Sequence, residues 1–177
     1  MGNPNSAAAT TGKIQMPISH RLARWGLCFI GTVLSVYALY VETSKEANPQ
    51  YKAMCDIGES MSCSKVFTSK YGRGFGILGS ILGDHHILNQ PNCFLGVIFY
   101  ILQVAIAKIH TLAATNFLLM TSILSNVGSV YLAYILYFVL EDFCLVCVST
   151  YIVNALLLGV NVLKWKYLSR MLSKKRE

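Results

Sequence analysis

Residues 142–164 read DFCLVCVSTYIVNALLLGVNVLK, and their reading decides the fold. From Phe143 to Leu163 there is no Asp, Glu, Lys or Arg over 21 residues; a helix crossing the hydrocarbon core of a bilayer needs about 20. Two cysteines stand at its mouth. Asp142 is a suitable N-cap, which puts Cys144 in the first turn, near the positive end of the helix dipole, where a thiolate is favoured. Glu141 and Asp142 act against that field. Cys147 lies one turn deeper and Tyr151 a turn deeper again, and the i, i+3, i+7 spacing sets all three on one helix face. A reducible pair above a phenol hydroxyl makes one wall of a pocket that a lipophilic oxidant can reach from the membrane.

Three further charge-free runs lie at 25–41, 85–107 and 109–140, with 17, 23 and 32 residues. The first just reaches the roughly 17–25 that a span uses and the third exceeds it, so part of the third is expected as loop or as an extension above the membrane. Apolar residues make up 54% of the 177 and charged ones 13%, against about 25% charged in a soluble domain. The sequence therefore predicts an all-α integral membrane protein, a bundle of four transmembrane helices with the long 42–91 loop folded over it as a cap. The polar lead before the first apolar run does not resemble a cleavable leader, and the first helix reads as an uncleaved anchor. Residues 1–19 read as a disordered tail, 20–168 as the membrane domain and 169–177 as a basic tail.

Ten of the fifteen Lys and Arg flank the helix ends opposite the loop, with Glu177 as the one acid there; the other five lie in the loop beside five acids. Cytoplasmic segments carry the Lys/Arg excess, which places both termini in the cytosol and the cap and the 139–143 turn on the other side. Topology thus accounts for the net charge of +7, and no soluble basic domain exists to bind nucleic acid. The tail Lys174-Lys175-Arg176-Glu177 resembles the di-lysine retrieval signal of endoplasmic reticulum membrane proteins; a basic tail lying on anionic lipid is the other reading. With the first reading the cap faces the lumen, a compartment that permits disulfides.

A fifty-residue loop in a compact protein should carry structure of its own. GESMSCSKVFTSKYG, 58–72, reads as a short helix with start signals at Ser60 and Ser62, a stop at Gly72 and inward-facing Val66 and Phe67. Residues 74–79, GFGILG, formally match G-x-G-x-x-G, but no strand precedes them and no βαβ unit follows. They read instead as a glycine-rich turn leading into an apolar segment at the interface. His85 and His86 read as solvated cap residues.

Six cysteines complete the pattern. Cys28 and Cys93 read as small apolar residues in or near helices. Cys55 and Cys63 lie in the cap, on the same side of the membrane as Cys144 and Cys147. A structural disulfide within the helix pair, or half a zinc site completed by the cap pair, are the inert alternatives, although C-x7-C is outside the usual zinc spacings. Taken alone, the cap pair also reads as a plain structural disulfide. Together the two pairs suggest a relay, because a thiolate attacks a disulfide through a mixed disulfide. The cap pair would face lumenal partners, Cys63 would exchange with Cys144 at the rim, and Cys147 would meet the lipophilic substrate. Tyr151 and Asn92, the latter in LNQPNCF where the chain re-enters the membrane, are candidate hydrogen-bond donors to a quinone; an amide at that depth is costly unless it pairs or works.

The segments AMCDIGESMSCSKVF, YGRGFGILGSILG, LNQPN, GSVYLAYILYFVL and DFCLVCVSTY resemble the vertebrate type of the vitamin K epoxide reductase family, over roughly residues 20–170. The resemblance implies an endoplasmic reticulum enzyme that reduces vitamin K 2,3-epoxide to the quinone and the quinone to the hydroquinone, which supports γ-carboxylation. It implies that Cys147 attacks the substrate, that Cys144 resolves the adduct and pairs with Cys63, and that Cys55 completes the relay. It further implies that Asn92 and Tyr151 hydrogen-bond the naphthoquinone and that Phe67, Phe75, Leu132 and Leu136 form apolar pocket walls. Electrons would come from thioredoxin-fold lumenal oxidoreductases, with no bound metal or cofactor, and warfarin-type coumarin anticoagulants would compete for the pocket. Tyr71 departs from the tryptophan usual in the family. Two rivals use the same features differently: a disulfide-forming oxidase coupled to a quinone, and a non-enzymatic four-helix adhesion or scaffold protein with a loop disulfide. The scaffold has no use for a reducible pair facing a pocket.

Overall fold

The computed structural model describes residues 18–57, 61–83, 89–109 and 111–174. Of the tail expected to be disordered over 1–19, residues 1–17 lie outside them, whereas Ile18 and Ser19 open a helix; the start signal at Ser60, the two histidines at 85 and 86 and the last three tail residues also lie outside them. Six α-helices are seen among the described residues: α1 (Ile18–Ala47), α2 (Cys63–Phe67), α3 (Leu78–Leu82), α4 (Asn92–Ala107), α5 (Leu112–Phe138) and α6 (Leu145–Lys174). An isolated bridge, Arg73 to Pro91, accompanies them. α1, α5 and α6 are long and apolar enough to cross a membrane. α4 is apolar but has 16 residues, about 24 Å at 1.5 Å per residue, short of a hydrocarbon core about 30 Å thick.

The helix limits follow from local chemistry. In the described part of this run, 89–107, helix starts at Asn92, because Pro91 has no N–H and its ring pushes the preceding residue out of the α region. The 109–140 run is helix through most of its length rather than part loop. Thr111 caps it by accepting the Ala114 N–H at 3.2 Å, and no proline interrupts it. α6 continues to Lys174, so residues 169–174 extend the helix instead of forming a separate tail. In the cap, Ser62 serves as the N-cap of α2, its hydroxyl accepting the Lys65 N–H at 3.3 Å. The helix stops five residues before Gly72, where the hydroxyls of Thr68 and Ser69 donate to the carbonyls of Ser64 and Val66 and so tie off the ladder.

α1 packs against α4 and α6, and α5 against α6. Small residues allow the first contact: Gly31 lies against the Tyr100 ring, and a Cβ on Gly96 would sit 2.7 Å from Ser35 Oγ. Membrane helices use such small residues because close backbone approach substitutes for a hydrophobic drive they lack in lipid. Phe29, Val36, Leu124 and Val130 point outward.

A polar seam binds the helices at the end away from the cap. Arg24 Nη1 donates to Asn161 Oδ1 at 2.5 Å. Asn161 Nδ2 donates to Gln103 Oε1 at 3.1 Å and to the Ser122 hydroxyl, joining α1, α4, α5 and α6. Lys164, counted among the basic residues after the last helix, lies within α6 and is buried. Its ammonium donates to the Ala107 carbonyl at 3.2 Å, closing the carbonyl end of α4, a favourable place for a cation.

Candidate functional site

A cavity of about 800 Å³ opens among the helices beneath the cap. Seven of the ten residues singled out in the sequence line it: Phe67, Phe75, Asn92, Leu132, Leu136, Cys147 and Tyr151. The other three, Cys55, Cys63 and Cys144, stand behind its wall as a line of sulfurs. Cys55 and Cys63 form a disulfide. Cys144 Sγ lies 3.7 Å from Cys63 Sγ and accepts the backbone N–H of Cys147 at 3.3 Å. Two thiolates of the conceivable zinc half-site are therefore spent on a disulfide.

That last hydrogen bond corrects the expected start of the helix. α6 begins at Leu145, the Val148 N–H donates to the Cys144 carbonyl at 3.1 Å, and the Cys144 thiol sits where an N-cap side chain sits. Asp142 is two residues too early to cap. It is buried and pairs with Lys65 Nζ at 2.5 Å, pinning α2 to the approach of α6. The cap pair is also less accessible than its expected role as the exposed end of a relay: Cys63 is 0% exposed and Cys55 9%. The residues flanking Cys55 are the exposed ones, Met54 at 90% and Ile57 at 63%.

Asp56 organises the cysteine loop. Its carboxylate accepts from the Ala53 N–H at 2.9 Å, the Ser64 N–H at 3.0 Å, the Ser64 hydroxyl at 2.6 Å and the Ser62 hydroxyl at 3.3 Å. Burial acts to raise its pKa, but the bonds from Ser64, Ala53 and Ser62 prevail and hold it below the ordinary aspartate value.

Asn92, at the first position of α4, spends its amide on the cap. Nδ2 donates to the Tyr71 carbonyl at 2.6 Å and Oδ1 accepts the Phe75 N–H at 3.0 Å. Between those atoms the chain makes a left-handed turn, with φ of 51° at Gly74, 57° at Phe75 and 71° at Gly76. Glycine takes such angles freely, but a phenylalanine there is strained. The amide clamp holds it, and the Phe75 ring lies over Gly128 of α5, where a Cβ would come within 3.2 Å. Nδ2 carries two hydrogens, so one remains for a cavity ligand. The glycines of the formal G-x-G-x-x-G thus shape a turn that delivers an aromatic ring to the cavity.

Several lining residues were not singled out in the sequence. Glu42, 1% exposed, accepts from Arg73 Nε at 3.1 Å and from Cys93 Sγ at 3.2 Å. Cys93 is therefore a hydrogen-bonded wall residue, not the inert apolar filler expected. The signal lay in the spacing of Cys28, Gly31, Ser35 and Ala38, a stripe of small residues that continues onto Glu42 on the buried face of α1. Deeper in the cavity Asn154 bridges two helices, accepting from the Tyr100 hydroxyl at 2.7 Å and donating to Ser129 Oγ at 2.9 Å. Tyr71 also lines the cavity, so an aromatic stays in place there.

The arrangement offers two thiols, Cys144 and Cys147, within reach of both a disulfide and a large apolar chamber with a few polar groups, the usual make-up of a small-molecule site. Residues 22–162 match the model of the vitamin K epoxide reductase family. The chain is 46% identical over 132 residues to vitamin K epoxide reductase complex subunit 1 of Rattus norvegicus, covering 75% of this chain and 82% of that protein. It is 46% identical over 133 residues to the same subunit of Mus musculus, covering 75% and 83%. Matched along most of its length, the chain belongs to the vitamin K epoxide reductase family.

Proposed function

We propose that the protein reduces vitamin K 2,3-epoxide to the quinone and the quinone to the hydroquinone, with electrons from protein thiols and no bound cofactor. The observation that carries the reading is the 3.7 Å approach of Cys144 to Cys63, which joins the cap disulfide to the C-x-x-C pair whose other member faces the cavity. The quinone ring lies between Asn92 and Tyr151, which donate to its oxygens and stabilise the charge that develops there. Phe67, Phe75, Leu132 and Leu136 enclose the ring, and coumarin anticoagulants compete for the same space. The Cys147 thiolate attacks the substrate, the oxygen is protonated, and Cys144 displaces the product as the two sulfurs join. For the epoxide, two thiol hydrogens and the epoxide oxygen leave as water; for the quinone, the two hydrogens end on its oxygens.

Recharging brings electrons inward along the sulfurs, from the cap pair to the C-x-x-C pair. A thioredoxin-fold oxidoreductase reduces the cap pair, Cys63 attacks Cys144, and Cys55 then closes on Cys63. The result is a cap disulfide beside a reduced C-x-x-C, the redox arrangement described above. The exposed side chains of Met54 and Ile57 offer an apolar landing beside Cys55 for that partner. We place the protein in the endoplasmic reticulum membrane, with α4 as the fourth span, both termini cytosolic and the cap lumenal. Opposite charge balances on the two sides of the bundle support that orientation.

The test is turnover of vitamin K epoxide and of the quinone by purified protein in detergent with dithiothreitol. Cys147→Ala abolishes both reactions, and Tyr151→Phe slows them on the order of 100-fold. A folded wild-type protein that turns over neither substrate sinks the reading in favour of a structural membrane protein.

A further inference from the structure

We propose that Glu42 carries the proton of the reaction: its carboxylate takes the hydrogen of the attacking thiol and returns it to the substrate oxygen on the Asn92 side of the cavity. This rests on the reductase reading above. An ionisable side chain inside a membrane bundle is rare and marks a working site by default. Glu42 is 1% exposed overall, yet it lines the same cavity as Cys147. Arg73 holds one carboxylate oxygen at 3.1 Å, fixing the group in place at the cavity wall. Among the described residues the other oxygen takes the weak thiol donor Cys93 at 3.2 Å, the neighbour in sequence of Asn92. Arg73 is 43% exposed and also pairs with Glu46 at 2.6 Å, so the group is anchored from the aqueous side while one oxygen stays turned toward the chamber. The titratable groups facing Glu42 are Arg73 and Glu46 from the cap side, Cys93 from α4, and Cys147 and Tyr151 across the cavity on α6.

The step balances without another reagent. Cys147 gives its proton to Glu42 as its sulfur bonds to the substrate; Glu42 passes the proton to oxygen and is again a carboxylate. Cys144 then bonds to Cys147, the carbon–sulfur bond breaks, and the second thiol hydrogen completes the hydroquinone. Two electrons leave the thiol pair and two arrive on the quinone.

The experiment is a single turnover of vitamin K quinone by protein reduced beforehand and freed of reductant, followed by hydroquinone fluorescence between pH 6 and 9. For Glu42→Gln we expect a rate on the order of 100-fold lower at pH 7, recovering as the pH rises, because the thiol must then ionise to solvent unaided. A wild-type rate and profile in Glu42→Gln overturns the proposal, and so does a loss equal at every pH, which marks a structural role. If Glu42→Gln does not fold, Glu42→Asp carries the test: a slower reaction with the wild-type profile supports the proposal, and a steep profile with a carboxylate still present overturns it. An inactive wild type instead removes the reductase reading itself, whereas an active wild type, dead as Cys147→Ala and unchanged as Glu42→Gln, removes this inference alone.

Discussion

Asp56 shows how much of the site rests on single side chains that carry no chemistry. Four donors converge on its carboxylate from the residues around Cys55 and Cys63, so it sets where both sulfurs stand. Asp56→Ala is expected to cost the cap about 2 kcal/mol and to speed reduction of the Cys55–Cys63 disulfide by a water-soluble phosphine. The pH dependence has a definite sign. A carboxyl whose folded pKa is depressed contributes stability above its unfolded pKa, near about 3.9, and loses it as the pH falls through the lower folded value. Phosphine reduction of the wild-type disulfide should therefore accelerate in that acid range, and the Asp56→Ala variant should lack that acceleration. Sequence reading passed over Asp56 because its partners are backbone and serine groups brought together only by the fold of the loop. Cys147 and Tyr151 were legible because a helix fixes their common face by spacing alone.

At the scale of elements, apolar runs found every long helix, and local chemistry moved the ends. Pro91 set the start of α4 at Asn92, and Cys144 took the capping place assigned to Asp142. The interior seam left a fainter mark, since Arg24 and Lys164 read singly as basic residues flanking the helices and Gln103 and Asn161 were not singled out. Their joint burial depends on the rotation of four helices, which no single run specifies. The prediction here concerns Asn161. Asn161→Ala leaves Arg24 and Gln103 without their shared partner and is expected to destabilise the bundle by about 2–3 kcal/mol, read as a lower melting temperature in detergent. The cap disulfide, tied to α6 through Lys65 and Asp142, should keep its wild-type resistance to phosphine at temperatures where the bundle is intact.

For the whole molecule, a single 3.7 Å approach separates the Cys55–Cys63 disulfide from the C-x-x-C pair. If electrons cross that gap, Cys63→Ser should depress turnover driven by a thioredoxin-fold protein at least about tenfold more than turnover driven by dithiothreitol, which can reduce the C-x-x-C directly. Equal losses with both reductants would remove the cap from the route. The amide of Asn92 has a last consequence, for how such a protein can change over generations. One side chain both fastens the Phe75 turn and lines the cavity, so a substitution that reshapes the cavity there also releases the turn. Aspartate would set an acceptor against the Tyr71 carbonyl, and alanine would drop both bonds. Heritable change in the chamber is thereby steered away from position 92 and toward wall residues with a single duty, such as Leu132, where a change of shape alters what the chamber admits without unfastening its roof.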